Sequence, residues 1–153
     1  MSKNVEHCTR SSDLAAAAMI MWRNDCGVVP VLDDERRVVG VVTDRDICMA
    51  VATRHRRPED IRVAELATDR LHAVTPDSDL REALELMKAR QVRRLPVTDA
   101  RGALRGMLSL SDIIRTLRPV RRRGAGELSA AEIVETLQAI GRHSEVPEAL
   151  PVG

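Results

Sequence analysis

Two short stretches carry the residue types best suited to holding a small polar ligand. Gly40-Val-Val-Thr43-Asp-Arg-Asp46-Ile47 places a hydroxyl three residues before a carboxylate, and Gly106-Met-Leu-Ser109-Leu-Ser-Asp112-Ile113 repeats the arrangement. In each, the hydroxyl closes a strand-like apolar run and the carboxylate falls in the first turn of a following helix. One reading is structural, since Ser or Thr at an N-cap with an acid at N3 caps many helices. The other reading uses the same geometry for binding. A carboxylate accepts two hydrogen bonds at once, which suits the vicinal diol of a ribose. Backbone N–H groups and the dipole at the helix start favour a nearby phosphate. Recurrence of the pair, each time after a glycine-headed strand, favours binding.

Other chemistries are less well supplied. Cys8, Cys26, Cys48, His7, His55 and His72 offer metal-ligating atoms, but no Cys-x-x-Cys or His-x-x-x-His spacing gathers them. Zinc needs three or four convergent ligands, so no metal site is expected and the cysteines read as buried small apolar residues. No base is placed beside a cysteine by sequence, so no catalytic residue is expected. Trp22 reads as core or interface. The arginine run at 118–123 has no aromatic residues interleaved and no nucleic-acid motif, and reads as a hinge of solvated charge.

The chain balances 24 Lys+Arg against 23 Asp+Glu over 153 residues, so net charge draws it to neither nucleic acid nor membrane. A hydrophobic content of 44% beside 31% charged residues describes a globular chain rather than a disordered one. The longest apolar run, Leu14 to Trp22, is too short for a membrane span and lacks the flanks of a signal peptide. Three cysteines with no close pair suit free thiols in a reducing, cytoplasmic setting.

Positioning the two pairs requires a duplicated unit. A shift of 66 residues, the difference between Thr9 and Thr75, aligns Asp13 with Asp79, Leu14 with Leu80, Ala17 with Ala83 and Met21 with Met87. The register continues without a gap through Pro30 and Pro96, Asp33 and Asp99, Gly40 and Gly106, and Asp46 and Asp112. Each copy begins with a helix whose apolar residues recur at i, i+3, i+4 and i+7, capped by Ser12 or Asp13 and by the Asp77–Asp79 cluster. Two β-branched or apolar runs follow, Val28–Leu32 with Val38–Thr43 and Leu95–Thr98 with Leu104–Ser109, around turn-forming residues. A second helix starts at Asp44 and at Leu110. Short entry strands near Val5 and at Leu71–Val74 complete a β-α-β-β-α unit.

The expected fold is therefore α/β, with two such units packed sheet to sheet and a C-terminal helix outside the repeat. One unit alone has too few strands to bury its apolar faces. The boundaries read as repeat 1 at 5–54, a linker at 55–70 with a short helix over Ile61–Ala67, and repeat 2 at 71–118. An Arg/Gly-rich linker spans 119–128. The amphipathic helix occupies 129–143, opened by Ser129-x-x-Glu132 with Leu128, Ile133, Leu137 and Ile140 on one side, and a flexible tail fills 144–153. That terminal helix is acidic, which argues against a membrane role.

These motifs in register resemble a tandem pair of CBS domains, often called a Bateman module. The carriers are Val74-Thr75-Pro76, Asp79-Leu80-Arg81-Glu82-Ala83, Arg94-Leu95-Pro96-Val97 and Gly106-x-x-Ser109-x-x-Asp112. Repeat 1 supplies Cys8-Thr9-Arg10, Val29-Pro30-Val31 and Gly40-x-x-Thr43-x-x-Asp46. The resemblance covers about three quarters of the chain and is closest to short stand-alone bacterial CBS-pair proteins, which are not enzymes. It implies a ligand-sensing regulatory protein that binds AMP, ADP, ATP or another adenosyl compound in the cleft between repeats, with no obligatory cofactor.

Carried over by position, Thr43, Asp46, Ser109 and Asp112 would hold ribose. Ser109 and Asp112 would work with Thr9, Cys26, Gly27 and Val29 around one adenine. Thr43 and Asp46 would work with Thr75, Val92, Arg93 and Leu95 around the other. Arg45, Arg93 and Arg94 would meet phosphate. The resemblance also implies a homodimer through helical faces and an unidentified regulated protein. Arg10 stands where the family has Pro, Leu110 stands opposite Asp44, and no Tyr or Phe is present to stack on adenine. A metal- or redox-responsive stress protein using the cysteines, or a purely structural dimer, are the alternative readings.

Overall fold

The computed structural model describes residues 1–66, 71–116 and 128–142. Two compact units emerge, one built from Met1–Asp77 with Arg94–Leu108, the other from Ser78–Arg93 with the described residues from Ser109 onward. The first unit holds β1 (Cys8–Thr9), α1 (Leu14–Arg23), β2 (Val28–Leu32), β3 (Val38–Thr43) and α2 (Asp44–Arg54). It also takes β4 (Arg94–Thr98) and all but the last residue of β5 (Leu104–Ser109). The second unit holds α3 (Leu80–Arg90), α4 (Leu110–Thr116) and α5 (Ala130–Gly141).

Within the first unit, β1 runs parallel to β2 and β2 antiparallel to β3. The pairing of Cys8 with Val31 recurs one repeat later as a parallel bridge between Val74 and Val97. The entry strands are thus shorter and later than the sequence suggests. β1 begins at Cys8 rather than near Val5, and Val74 alone represents Leu71–Val74. The chain before β1 is engaged elsewhere: Ser2 and Met107 exchange both backbone hydrogen bonds, at 3.0 Å each. Gly106 permits this approach, because a Cβ there would lie 2.6 Å from the Ser2 carbonyl oxygen. The tips of the two hairpins meet, with Arg37 bridging Ala103 and the Val38 N–H donating to the Gly102 carbonyl at 2.9 Å.

Alternating burial along β3 and near-continuous burial along β2 place a core of Leu14, Ala17, Met21, Val29, Val31 and Val42 beneath α1. Asp13, rather than Ser12, caps α1 by accepting the Ala16 N–H at 2.8 Å. Asp79 caps α3 through the Arg81 N–H. The expected linking helix at Ile61–Ala67 is instead a pair of 3₁₀ turns, Pro58–Asp60 and Val63–Glu65, and Ala67 lies outside the described residues. Extended backbone at Ile61 and Arg62 explains this, since Ile61 accepts the Leu14 N–H and Arg62 bridges Asp13. Ile61 and Val63 are thereby fully buried against α1's core face.

In the second unit, α5 packs on α3, and the Ser129–Glu132 capping box forms as expected. Its buried face differs from the expected one: Ile133 and Thr136 are buried while Leu137 is exposed. Thr136 tolerates burial because its hydroxyl donates to the Glu132 carbonyl at 2.7 Å. Arg81 and Lys88 on α3 pair with Glu132 and Glu135, and the Gln91 amide donates to the Arg142 carbonyl at 2.8 Å. Ser129 N–H and Arg81 hold the Glu132 carboxyl down at about 2. The arginine run and the tail beyond residue 142 lie outside the described residues.

Candidate functional site

Each hydroxyl–carboxylate pair forms where a strand runs directly into a helix. In the first unit, Thr43 ends β3 in extended backbone and caps α2. Asp46 Oδ2 accepts from the Thr43 N–H at 2.9 Å and from its hydroxyl at 2.7 Å, while the Asp46 N–H donates to Thr43 Oγ1 at 3.1 Å. In the second unit, Asp112 Oδ2 accepts from the Ser109 N–H at 2.9 Å and hydroxyl at 2.6 Å, and the return bond is 3.1 Å. The two boxes agree to within 0.1 Å in every bond. Partial burial raises the Asp112 carboxyl, but hydrogen bonds from Ser109 together with nearby positive charge, Arg115 included, outweigh it and leave Asp112 below the usual carboxylate range.

The capping role is therefore real, and it consumes one carboxylate oxygen of each pair. Asp46 is exposed, and its Oδ1 accepts no hydrogen bond among the described residues. A carboxylate oriented through one oxygen presents the other at a fixed position, as a diol acceptor requires.

A second repeat-related contact ties each helix start to the residue before the repeat's middle strand. The Asp44 N–H donates to the Gly27 carbonyl at 3.1 Å, and the Leu110 N–H donates to the Arg93 carbonyl at 2.9 Å. Gly27 lies so close to Asp44 that a Cβ would sit 2.6 Å from Asp44 Oδ2. At the equivalent place in the second unit stand Arg93 and Leu110, so the two surroundings differ sharply in charge. Sequence reasoning placed Gly27 and Arg93 in the site but missed Asp44 as Gly27's neighbour. The available signal was the pairing of a glycine before one strand with an acid at the next helix start.

The remaining candidates divide by burial. Val29 and Leu95 are each 1% exposed, so side chain and backbone alike are covered and neither presents surface to a ligand. The Thr9 hydroxyl is shared with Ser11 and Ser12 at 2.9 and 3.2 Å. Thr75 is exposed, and Cys26 and Val92 are half-buried. Arg45, Arg93 and Arg94 are all exposed and pair with no carboxylate among the described residues. Ser109, Asp112, Val92 and Arg93 belong to the second unit and the other candidates to the first.

Cysteine behaviour is mixed. Cys8 is buried, and desolvation pushes its thiol up to about 11. Cys48 is exposed, contrary to its expected burial, because it faces away from the core on α2, whose buried residue is Ala50. No group of three metal-ligating side chains occurs among the described residues. Trp22 is 84% exposed and so is not core.

A CBS-domain family model matches residues 1–53 and 63–119. The chain belongs to the CBS-domain family. Hypoxic response protein 1 of Mycobacterium tuberculosis is 36% identical over 104 residues, covering 68% of this chain and 72% of that one. An uncharacterised 17.7 kDa protein of Acidianus ambivalens is 35% identical over 104 residues, a match spanning 62% of that relative. The crystal structure of Hypoxic Response Protein I, which holds two coordinated zinc ions, superposes at TM-score 0.71 with 32% identity, covering 77% of this chain and 95% of that one. The CBS domain pair of the protein MJ0100, solved with 5′-methylthioadenosine and S-adenosyl-L-methionine, shares the fold at TM-score 0.66 and 22% identity, covering 74% and 92%. No helix among the described residues is long and apolar enough to cross a membrane.

Proposed function

We propose that this CBS protein is a non-enzymatic, cytoplasmic regulatory module that senses an adenine nucleotide or related adenosyl compound. The observation that carries this reading is the doubled hydroxyl–carboxylate box, matched bond for bond in the two units. Thr43 with Asp46, and Ser109 with Asp112, each receive a ribose. Each box also has an exposed arginine tied to it by the backbone. Arg45 lies between Thr43 and Asp46, and the Arg93 carbonyl is bonded to the residue after Ser109. Those guanidiniums and Arg94 take phosphate, a role suited to arginine's forked donors. The adenine meets Thr9, Cys26, Gly27, Thr75, Val92 and Arg93, beside the buried Val29 and Leu95. MJ0100, which shares the fold, binds two adenosyl compounds, and this supports the ligand class.

Signalling follows from differential affinity: a ligand that binds one arrangement of the repeats better shifts the population toward it and changes partner docking. A second copy of the chain covers the apolar surface that Met19, Trp22 and Met49 expose on α1 and α2.

The test is calorimetric titration of nucleotide-stripped protein with AMP, ADP, ATP, S-adenosylmethionine, 5′-methylthioadenosine and NAD. Saturable binding of at least one names the ligand. No binding by any at millimolar concentration overturns the reading.

A further inference from the structure

Beyond the adenosyl reading, and independent of it, the first unit contains a basic cavity of about 920 Å³ that shares no residue with the hydroxyl–carboxylate boxes. It lies where the two hairpin tips meet the N-terminal segment, and Lys3, Arg36, Arg37, Arg101 and Arg105 line it against only Glu35 and Asp99. Its volume is in the range of small-molecule sites, roughly 300–1,000 Å³.

The acids there are already engaged. Asp99 accepts the Arg101 and Ala103 N–H groups on Oδ1 and the Arg105 guanidinium on Oδ2, at 2.7 Å to Nη2. Asp33, its repeat equivalent, accepts the Glu35 and Arg37 N–H groups and the Arg37 guanidinium, and Glu35 also pairs with Arg37. These bonds lock both turns and leave Arg36 and Arg101 with no carboxylate partner among the described residues. Lys3 is likewise unpaired there, on a segment pinned by the Ser2–Met107 bridge.

A second observation points to Arg36 in particular. It adopts φ 62°, the left-handed region, and the equivalent position in the other repeat, Gly102, adopts φ 80°. Glycine meets this turn's demand without strain, and an arginine does not. An arginine held at a backbone position that favours glycine, lining a cavity without a carboxylate partner among the described residues, points to a role for its guanidinium.

We propose that this cavity binds a small phosphorylated anion carrying at least two negative charges, held by the guanidiniums of Arg36 and Arg101 and the ammonium of Lys3. Neighbouring arginine forks grip phosphoryl oxygens in pairs. Apart from the His7 imidazole the lining offers no ring to stack on a base, and its five cationic side chains favour phosphate as the group it recognises.

The test uses the full chain, nucleotide-stripped, titrated calorimetrically with inorganic tripolyphosphate in low and physiological salt. One saturable site is expected, weakened at least tenfold in Arg36→Gly and in Arg101→Ala. Arg36→Gly relieves the turn, so its Tm should match or exceed the parent's, which separates lost binding from lost folding. Unchanged affinity in both variants overturns the proposal, as does non-saturating heat that disappears in physiological salt. Loss of binding in Asp46→Ala/Asp112→Ala instead, with Arg36→Gly unaffected, would put the anion at the hydroxyl–carboxylate boxes and equally overturn it.

Discussion

Asp46→Ala separates the two roles that one carboxylate plays in this protein. In the folded chain Asp46 Oδ2 accepts two hydrogen bonds from Thr43, and both vanish on substitution. The residue is exposed, so water reaches the orphaned N–H and the loss is that of a helix cap, about 1 kcal/mol. For a chain of this size that lowers Tm by roughly 2–4 °C. A domain with about 5–15 kcal/mol of stability stays almost wholly folded after such a loss, so unfolding cannot reduce affinity measurably. Binding is a different matter. Two hydrogen bonds from a ribose diol to a charged acceptor are worth about 1.5–3 kcal/mol each. Losing roughly 3 kcal/mol or more weakens binding on the order of 100-fold.

The assay pairs thermal unfolding with calorimetric titration of whichever adenosyl compound binds, in Asp46→Ala, Asp112→Ala and the double variant. A small Tm loss with a hundredfold affinity loss is expected for the site concerned. A Tm loss of the expected size with affinity unchanged within about threefold would refute the ribose role and leave Asp46 and Asp112 as caps.

Further outcomes follow from burial and charge. Leu14→Ala empties a fully buried position under α1 and should cost about 3 kcal/mol, lowering Tm by roughly 10 °C in a melting experiment. Alkylation followed by mass spectrometry should modify Cys48 rapidly at neutral pH and leave Cys8 protected until the chain unfolds, since Cys8 is buried with its thiol near 11. Glu132 has a folded value of about 2 against an ordinary 4.5, held down first by the Ser129 N–H and then by Arg81, so its contribution to the α5 cap and to the α3 contact is complete above 4.5 and fades as pH falls toward 2. Hydrogen exchange should show α5 losing protection across that window, and Glu132→Gln should reduce the pH dependence, with the Lys88–Glu135 pair supplying the remainder. Trp22→Glu should convert the proposed dimer to monomer in light scattering while leaving the chain's circular dichroism unchanged, because the indole is 84% exposed within one chain.

Much of this protein is set by its local sequence. The faces of α1 and α3, the hairpin turns and both capping boxes depend on contacts a few residues apart, and those contacts form as residue types and spacing require. The family followed from the same motifs, because Thr43-x-x-Asp46 and Ser109-x-x-Asp112 sit at strand–helix junctions whatever surrounds them.

Tertiary structure decided what depends on distant neighbours. Ile61 and Arg62 stay extended because the loop before α1 needs their backbone partners, which overrode their helical pattern. Thr136 rather than Leu137 is buried in the helix that packs on α3, and its hydroxyl finds a carbonyl on its own helix. Gly106 is small because the N-terminal segment crosses it, a contact about a hundred residues away in sequence. The basic cavity is wholly of this second kind. Its arginines look like ordinary solvated turn residues in the chain, and only the meeting of two hairpin tips with the N-terminus concentrates their charge. Local pattern determines elements because short-range hydrogen bonds and periodicity do; cavities and chain crossings belong to packing, which no local window contains.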